Sequence, residues 1–300
     1  MQHIPQPIVV QFVHPAPEDL KTFGNGLKPW NCGKHKRNFL VSAGEAISVK
    51  GSCPQRFEKI SFWGEWEPEA KIVQNYKNVL PYKPHRLICP LFPLSVPFQG
   101  KAGCCANTDP FVFGNNFKYS NCRQYTNKGK SKTLLQSLPT GSIILFGSCL
   151  NENGVDVFVL DTVFLVENSK KFNSKQYSSL KQFIGVDYPL FEAATLKPLD
   201  MGTNPSRDFT LYQGQNYEEK KCYSFVPCDV NGNPFARISL TKKIIPELSV
   251  KLETFKVLKK TKKEYLDPQN VWNKIADYVL SQGFSLGVRF DNVAQNVRTI

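Results

Sequence analysis

The sequence predicts an α+β, β-rich chain: antiparallel sheets or a partly open barrel, with a few helices. Three observations predict it. The chain holds 22 phenylalanines, 21 prolines and 19 glycines in 300 residues, the composition of many short strands joined by turns. Residues 141–150 (GSIILFGSCL) and 157–166 (VFVLDTVFLV) are almost continuously apolar and flank an Asn-Gly turn, a hairpin signal. Helical spacing is clean in one place, about 268–282, where Asp267 and Pro268 form a start and Gly283 a stop. No run approaches the ~20 apolar residues of a spanning helix, and the first residues lack a basic export signal, so a cytoplasmic protein is expected.

In chain order, residues 8–13 (IVVQFV) predict a buried strand with His14 at its tip. A Gly, Asn and Pro-rich loop follows, carrying Trp30, Lys34, His35, Lys36 and Arg37, a mixture suited either to phosphate contact and base stacking or to a solvated turn. Return strands are expected at 38–42 and 47–50. A strand over 57–66 contains FWGEWEPE, where Trp63, Trp66, Glu65 and Glu67 crowd around Gly64. Aromatic faces beside carboxylates suit a pocket for a flat polar ligand, or an amphipathic strand with tryptophans inward. Strand parity puts Trp63, Glu65 and Glu67 on one face and turns Trp66 toward the core. Side by side, Glu65 and Glu67 could bind a divalent cation or split their pKa values for acid/base work.

Residues 86–92 predict another strand, and the passage 100–124 supplies Asn121, Cys122, Arg123 and Gln124, side chains able to read a base edge or hold a phosphate. No neighbouring histidine in the sequence could activate Cys122. A helix is expected at 131–138. In the second hairpin strand Asp161 interrupts an apolar run, as a satisfied structural carboxylate or a perturbed catalytic one. Residues 167–183 read as polar and helical and mark a seam, dividing the chain into a half at 1–168 with the candidate pocket and a half at 169–300, or running through one continuous domain. Strands are expected again at 190–199 and 209–213. YSFVP and FARISL pair as a hairpin in this reading, with Tyr212, Gln213, Arg237 and Ser239 able to face the pocket. Residues 242–265 hold eight lysines against three glutamates, as an edge strand or a phosphate-tracking surface. In the helix, Val271, Trp272, Ile275, Val279 and Leu280 form the packed face.

The net charge of +13 favours polyanions, nucleic acid first and nucleotides next, although a lysine-rich solvated surface would give the same number. Nine cysteines without a CxxC pair read as reduced thiols. Cys104, Cys105 and Cys122 match no zinc spacing, so no metal site is predicted. Dinucleotide, P-loop, HExxH and GxSxG signatures are absent, and the cofactor is left unknown.

The passage LPTGSIILFGSCLNENGVDVFVLDTVFLVE (138–167) resembles the central hairpin of PUA-like domains of the ASCH and EVE type. That resemblance implies a modified-base or RNA/DNA-binding pocket, with FWGEW as a wall. The chain also resembles bacterial proteins associated with nucleotide modification or phage defence. The expectation is therefore a protein binding nucleic acid or a nucleotide, in DNA modification or antiviral defence, with no membrane partner. The alternative is a nuclease, glycosylase or ADP-ribosyl transferase. Candidate catalytic residues are Glu65, Glu67, His35 and Asp161, with His14 assisting. Candidate ligand-binding residues are Trp63, Trp30, Lys34, Arg37, Asn121, Arg123, Gln124 and Tyr212, with the Lys256–Lys263 cluster on phosphates.

Overall fold

The strand-forming stretches pair into two seven-stranded sheets in a computed structural model of the chain. It describes residues 6–14, 17–21, 23, 26–76, 83–96, 105–126, 131–152, 154–201 and 205–293, so Cys104 lies outside the described residues. Across the first sheet the order is β13 (Phe255–Val257), β1 (Val9–Val13), β8 (Ile143–Glu152), β9 (Val155–Asn173), β10 (Asp208–Gly214) and β7 (Lys118–Tyr119), and β12 (Ile238–Leu240) pairs along β9. The second runs β14 (Ser285–Phe290), β11 (Val226–Asp229), β4 (Gln55–Glu65), β3 (Arg37–Ile47), β6 (Arg86–Pro90), β5 (Ala70–Asn75) and β2 (Leu27–Lys28). Pairing is antiparallel except for β1 with β8 and β3 with β6. β14 also pairs with β3, so β3, β4, β11 and β14 close on one another.

The inner faces bury a shared core. Val10 and Phe12 of β1, Phe146 of β8 and Phe164 of β9 join Leu40, Phe62 and Trp66 from the second sheet. Trp66 is fully buried, edge-on to Phe113 at 5.2 Å, and its indole N–H donates to the Glu69 carbonyl at 2.9 Å. On the other face of β8 and β9, Ile143 and Val163 belong to a second core that also takes Val271, Trp272, Ile275 and Val279 of helix α4 (Pro268–Ser281). Asp267 caps it through the Gln269 and Asn270 amides, and Leu280 packs at its edge. No helix among the described residues is long and apolar enough to cross a membrane.

Several local readings change, each because tertiary pairing overrides local pattern. Residues 38–50 hold one long strand, β3, bent by a bulge between Ser42 and Gly44. The helix expected at 131–138 is a single 3₁₀ turn, Leu134–Gln136, capped by Thr133. The polar stretch after Glu167 continues β9 to Asn173, because β10 lies beside it and Phe172 stacks on Phe209 at 5.8 Å. The seam at 168 thus falls within β9, and strands from both sides of it pair in both sheets. Residues 190–199 are helical: α1 (Leu180–Ile184), α2 (Tyr188–Phe191) and α3 (Lys197–Asp200) are joined through a 3₁₀ turn and a π turn at Glu192–Leu196. The expected hairpin of 223–240 separates, since β11 pairs with β4 and β14 whereas β12 pairs with β9.

Trp66→Ala is expected to lower unfolding free energy by about 3–5 kcal/mol in denaturant titration. Loss of the α4 cap in Asp267→Ala should cost about 1 kcal/mol in the same measurement.

Candidate active site

Register brings the first charged pair together. Arg37 opens β3 and stands opposite Glu65, the last residue of β4. Arg37 Nη1 donates to Glu65 Oε2 at 2.7 Å, and both side chains are 1% exposed. The other side of Arg37 meets the first sheet, where its Nε donates to Asp161 Oδ2 at 2.6 Å. Asp161 reaches it because β9 bulges: Phe146 pairs with Thr162 and Gly147 with Leu160, leaving Asp161 between them. Arg237 completes the chain of charges, donating from Nε to Asp161 Oδ1 at 2.8 Å and from Nη2 to Oδ2 at 2.7 Å and Ser148 Oγ at 2.9 Å.

Two histidines close on Glu65 from the opposite side. His14 follows β1, and its backbone N–H donates to the Gly147 carbonyl at 2.9 Å, which fixes it between the sheets. Its Nδ1 lies 3.1 Å from Glu65 Oε2 but out of hydrogen-bonding alignment, and its Nε2 lies 3.3 Å from Cys122 Sγ. His35 Nδ1 sits 2.9 Å from Glu65 Oε1 and 3.0 Å from Glu67 Oε1. The two imidazoles meet edge to face at 4.7 Å. Glu67, just past β4, also accepts from the Lys36 amide at 3.2 Å and from Asn31 Nδ2 at 2.5 Å. Cys122 is placed by Asp109, whose carboxylate accepts the backbone N–H groups of Ser120, Asn121 and Cys122 at 2.7–2.9 Å.

These contacts divide the titrations. Burial drives His14 well below its ordinary pKa, and the nearby Glu65 charge does not compensate. Burial also works against charging His35, but Glu65 and Glu67 overcome it and raise His35 to about 10. Glu65 stays ionised despite burial, because His14, His35 and Arg37 surround it. Burial raises Glu67, with Glu65 adding to the effect. Burial and then the Asp109 and Glu65 charges push the Cys122 thiol well up, so it stands as a thiol and not a ready nucleophile.

The cluster meets solvent at His35, whose side chain is 27% exposed, whereas those of Glu65 and Glu67 are 1% and 0% exposed. Beside it an open pocket of about 240 Å³ is lined by Cys122, Asn121, Arg123, Tyr125, Arg207 and Phe209. The Arg207 guanidinium lies over the Tyr125 ring at 5.1 Å. One ligand atom each from His14, His35 and Cys122 lie within 4.8 Å of one another, and the same holds for His35, Glu65 and Glu67.

Of the sequence candidates, Glu65, Glu67, His35, Asp161 and Arg37 are therefore neighbours, and Asn121 and Arg123 line the adjoining pocket. The aromatic candidates lie elsewhere. Trp63 shares the Glu65 face of β4, but it packs on Phe39 and Phe235 and donates its indole N–H to the Phe235 carbonyl at 2.8 Å. Trp30 is buried, with its N–H on the Ala106 carbonyl at 2.8 Å. Tyr212 stacks on Tyr119 inside the core and accepts from the Leu138 amide. Gln124 is fully buried against the Thr210 backbone. Each has its polar group satisfied by protein, so no aromatic cage stands at FWGEW. Lys34 is exposed on the loop before His35, and Lys260 of the basic tail pairs with Glu264 at 2.9 Å. Sequence reasoning missed the pairing of His14 with Cys122, which lie 108 residues apart. It also missed Asp109 as the carboxylate that positions the cysteine loop.

No family model, curated protein or solved structure matches the chain.

Removing Asp161 leaves two buried guanidinium groups facing each other. Asp161→Ala should destabilise by about 3–5 kcal/mol in urea; a loss under about 1 kcal/mol would mean that water reaches the arginines.

Proposed function

We propose that this chain is an enzyme that acts on nucleic acid or a nucleotide, with its chemistry at the His14, His35, Glu65, Glu67 and Cys122 cluster. The observation that carries the reading is the convergence of these side chains, from β1, the loop before β3, the end of β4 and the loop after β7, onto one half-open position at His35. Buried ionic clusters contribute little net stability, because desolvation offsets their attraction. Opposed pKa shifts on adjacent titratable groups are characteristic of functional sites.

The ligand class follows from charge and from the adjoining pocket. A chain of net charge +13 attracts polyanions. Arg123, Arg207 and Tyr125 give the pocket beside Cys122 the character of a phosphate and ring subsite. At about 240 Å³ it suits a phosphate or sugar-phosphate, the rest of the ligand lying outside. The resemblance of residues 138–167 to PUA-like domains points to the same ligand class.

Hydrolysis of such a ligand fits the cluster better than a covalent intermediate. Both carboxylates are engaged by donors, and the Cys122 thiol is disfavoured as a thiolate, so water is the nucleophile that the site can accommodate. Binding without turnover is the second reading. It is favoured by the same basic pocket and charge, and it would serve DNA modification or antiviral defence equally.

The test is incubation of the full chain, in buffer containing divalent cations, with labelled DNA, RNA and free nucleotides. Conversion of at least one class is expected, reduced about 100-fold or more in Glu67→Gln at unchanged melting temperature. No conversion, together with binding that weakens steeply as salt rises, would leave the binding reading and remove the enzymatic one.

A further inference from the structure

We propose that His14, His35 and Cys122 form a mononuclear site for a zinc-like divalent cation, three protein ligands that leave one position of a tetrahedron unfilled. The donor set is two imidazole nitrogens and one sulfur, a combination that favours zinc over hard cations such as magnesium or calcium. One ligand atom from each residue already lies within 4.8 Å of the other two. The His14 Nε2 to Cys122 Sγ distance is 3.3 Å. Tetrahedral zinc, with bonds of about 2.0–2.3 Å, holds its ligand atoms roughly 3.3–3.6 Å apart. Closing the set takes the other separations, which are at most 4.8 Å, down to that range.

His35 is backed as a metal-bound histidine requires when its Nε2 takes the cation: its Nδ1 faces Glu65 and Glu67 at 2.9 and 3.0 Å. His14 Nδ1 lies 3.1 Å from Glu65 but out of hydrogen-bonding alignment. A carboxylate behind the imidazole fixes the ring and leaves Nε2 for the cation. His14 itself lacks something in the protein. Its side chain is only 3% exposed, yet Nδ1 makes no aligned hydrogen bond among the described residues and Nε2 finds only sulfur. A cation on Nε2 would give that nitrogen a stronger partner than sulfur and leave the ring proton on Nδ1, beside Glu65.

The alternative set of His35, Glu65 and Glu67 is less suited to bind directly. Glu65 Oε2 holds Arg37 at 2.7 Å, and its Oε1 accepts the Asp109 amide at 3.2 Å. Glu67 is taken by Asn31 and the Lys36 amide. A cation on these oxygens would sit against the Arg37 guanidinium. The carboxylates therefore act as positioning residues behind the histidines. On binding, the Cys122 thiol proton leaves to solvent and the thiolate takes the cation. What the metal does depends on the enzymatic reading: an open fourth position holds water that becomes a nucleophile near neutral pH, beside the Arg123 and Arg207 pocket. The existence of the site does not depend on that reading.

The test uses the full chain, stripped with chelator and titrated with Co²⁺ as a spectroscopic stand-in for Zn²⁺. The expected result is one tightly bound Co²⁺ per chain with tetrahedral visible bands and a thiolate charge-transfer band, displaced by Zn²⁺. Cys122→Ser should abolish the charge-transfer band and weaken Co²⁺ by more than roughly 100-fold. Cys222→Ser, on the α4 side of the molecule, should leave both unchanged. His35→Gln, at the half-exposed member, gives a second ligand variant if Cys122→Ser fails to fold. Absence of binding, a charge-transfer band that survives in Cys122→Ser, or bound Co²⁺ with no thiolate band would each overturn the proposal. Metal bound without turnover of any nucleotide substrate would sink the enzymatic reading alone; turnover that persists in the stripped protein, with no Co²⁺ bound, would sink the metal alone.

Discussion

Arg37 carries a charge that cannot be lost into a place that water does not reach, and much of the centre is arranged around that fact. Its guanidinium is neutralised from both sheets at once, by Glu65 within its own and by Asp161 across the gap. Asp161 in turn binds Arg237, so one continuous ionic chain fastens the two sheets where their apolar contact gives way. Attraction at 2.6–2.8 Å in such surroundings is strong, but so is the desolvation it offsets. The net effect is positional: Glu65 cannot rotate away from the histidines without stranding Arg37.

The same carboxylate explains why two neighbouring imidazoles behave in opposite ways. His14 and His35 are 4.7 Å apart between ring centres. His14 is enclosed beside Phe12 and near Arg37, and remains neutral. His35 faces two carboxylates and keeps its proton. One ring is thus held as a lone-pair donor while its neighbour carries a positive charge.

Legibility in the sequence tracked the range of the interactions. The hairpin of β8 and β9 was readable because an Asn-Gly signal stands between two apolar runs in the sequence, and α4 because its cap, proline and stop are local. Glu65, Glu67 and His35 were readable as chemistry-bearing types, and β3–β4 pairing does place Arg37 opposite Glu65. What was hidden lay in distant pairings. The run LFEAATL suits a buried strand or a buried helix equally, and packing of Leu190, Phe191 and Leu196 into the core selects the helix. FARISL looked like the partner of YSFVP only because it is next along the chain. The tryptophans of FWGEW misled for a related reason: their N–H groups, which could have met a ligand, are consumed by the carbonyls of Phe235 and Glu69. Asp161 could be recognised as out of place, but the bulge that aims it depends on a register that no local pattern specifies.

The closed ring of β3, β4, β11 and β14 has a consequence for how the protein comes into being. β14 fills the gap between β11 and β3, and it follows β3, β4 and β11 in the chain and so joins them last. Until then β3 and β4 can pair, but the circuit that stiffens them stays open, and Arg237 has not long joined Asp161. Long-range closure of this kind is slow and comes late. The buried ionic chain that holds Glu65 in place is therefore completed only once Arg237 and β14 have joined strands that lie far before them in the sequence.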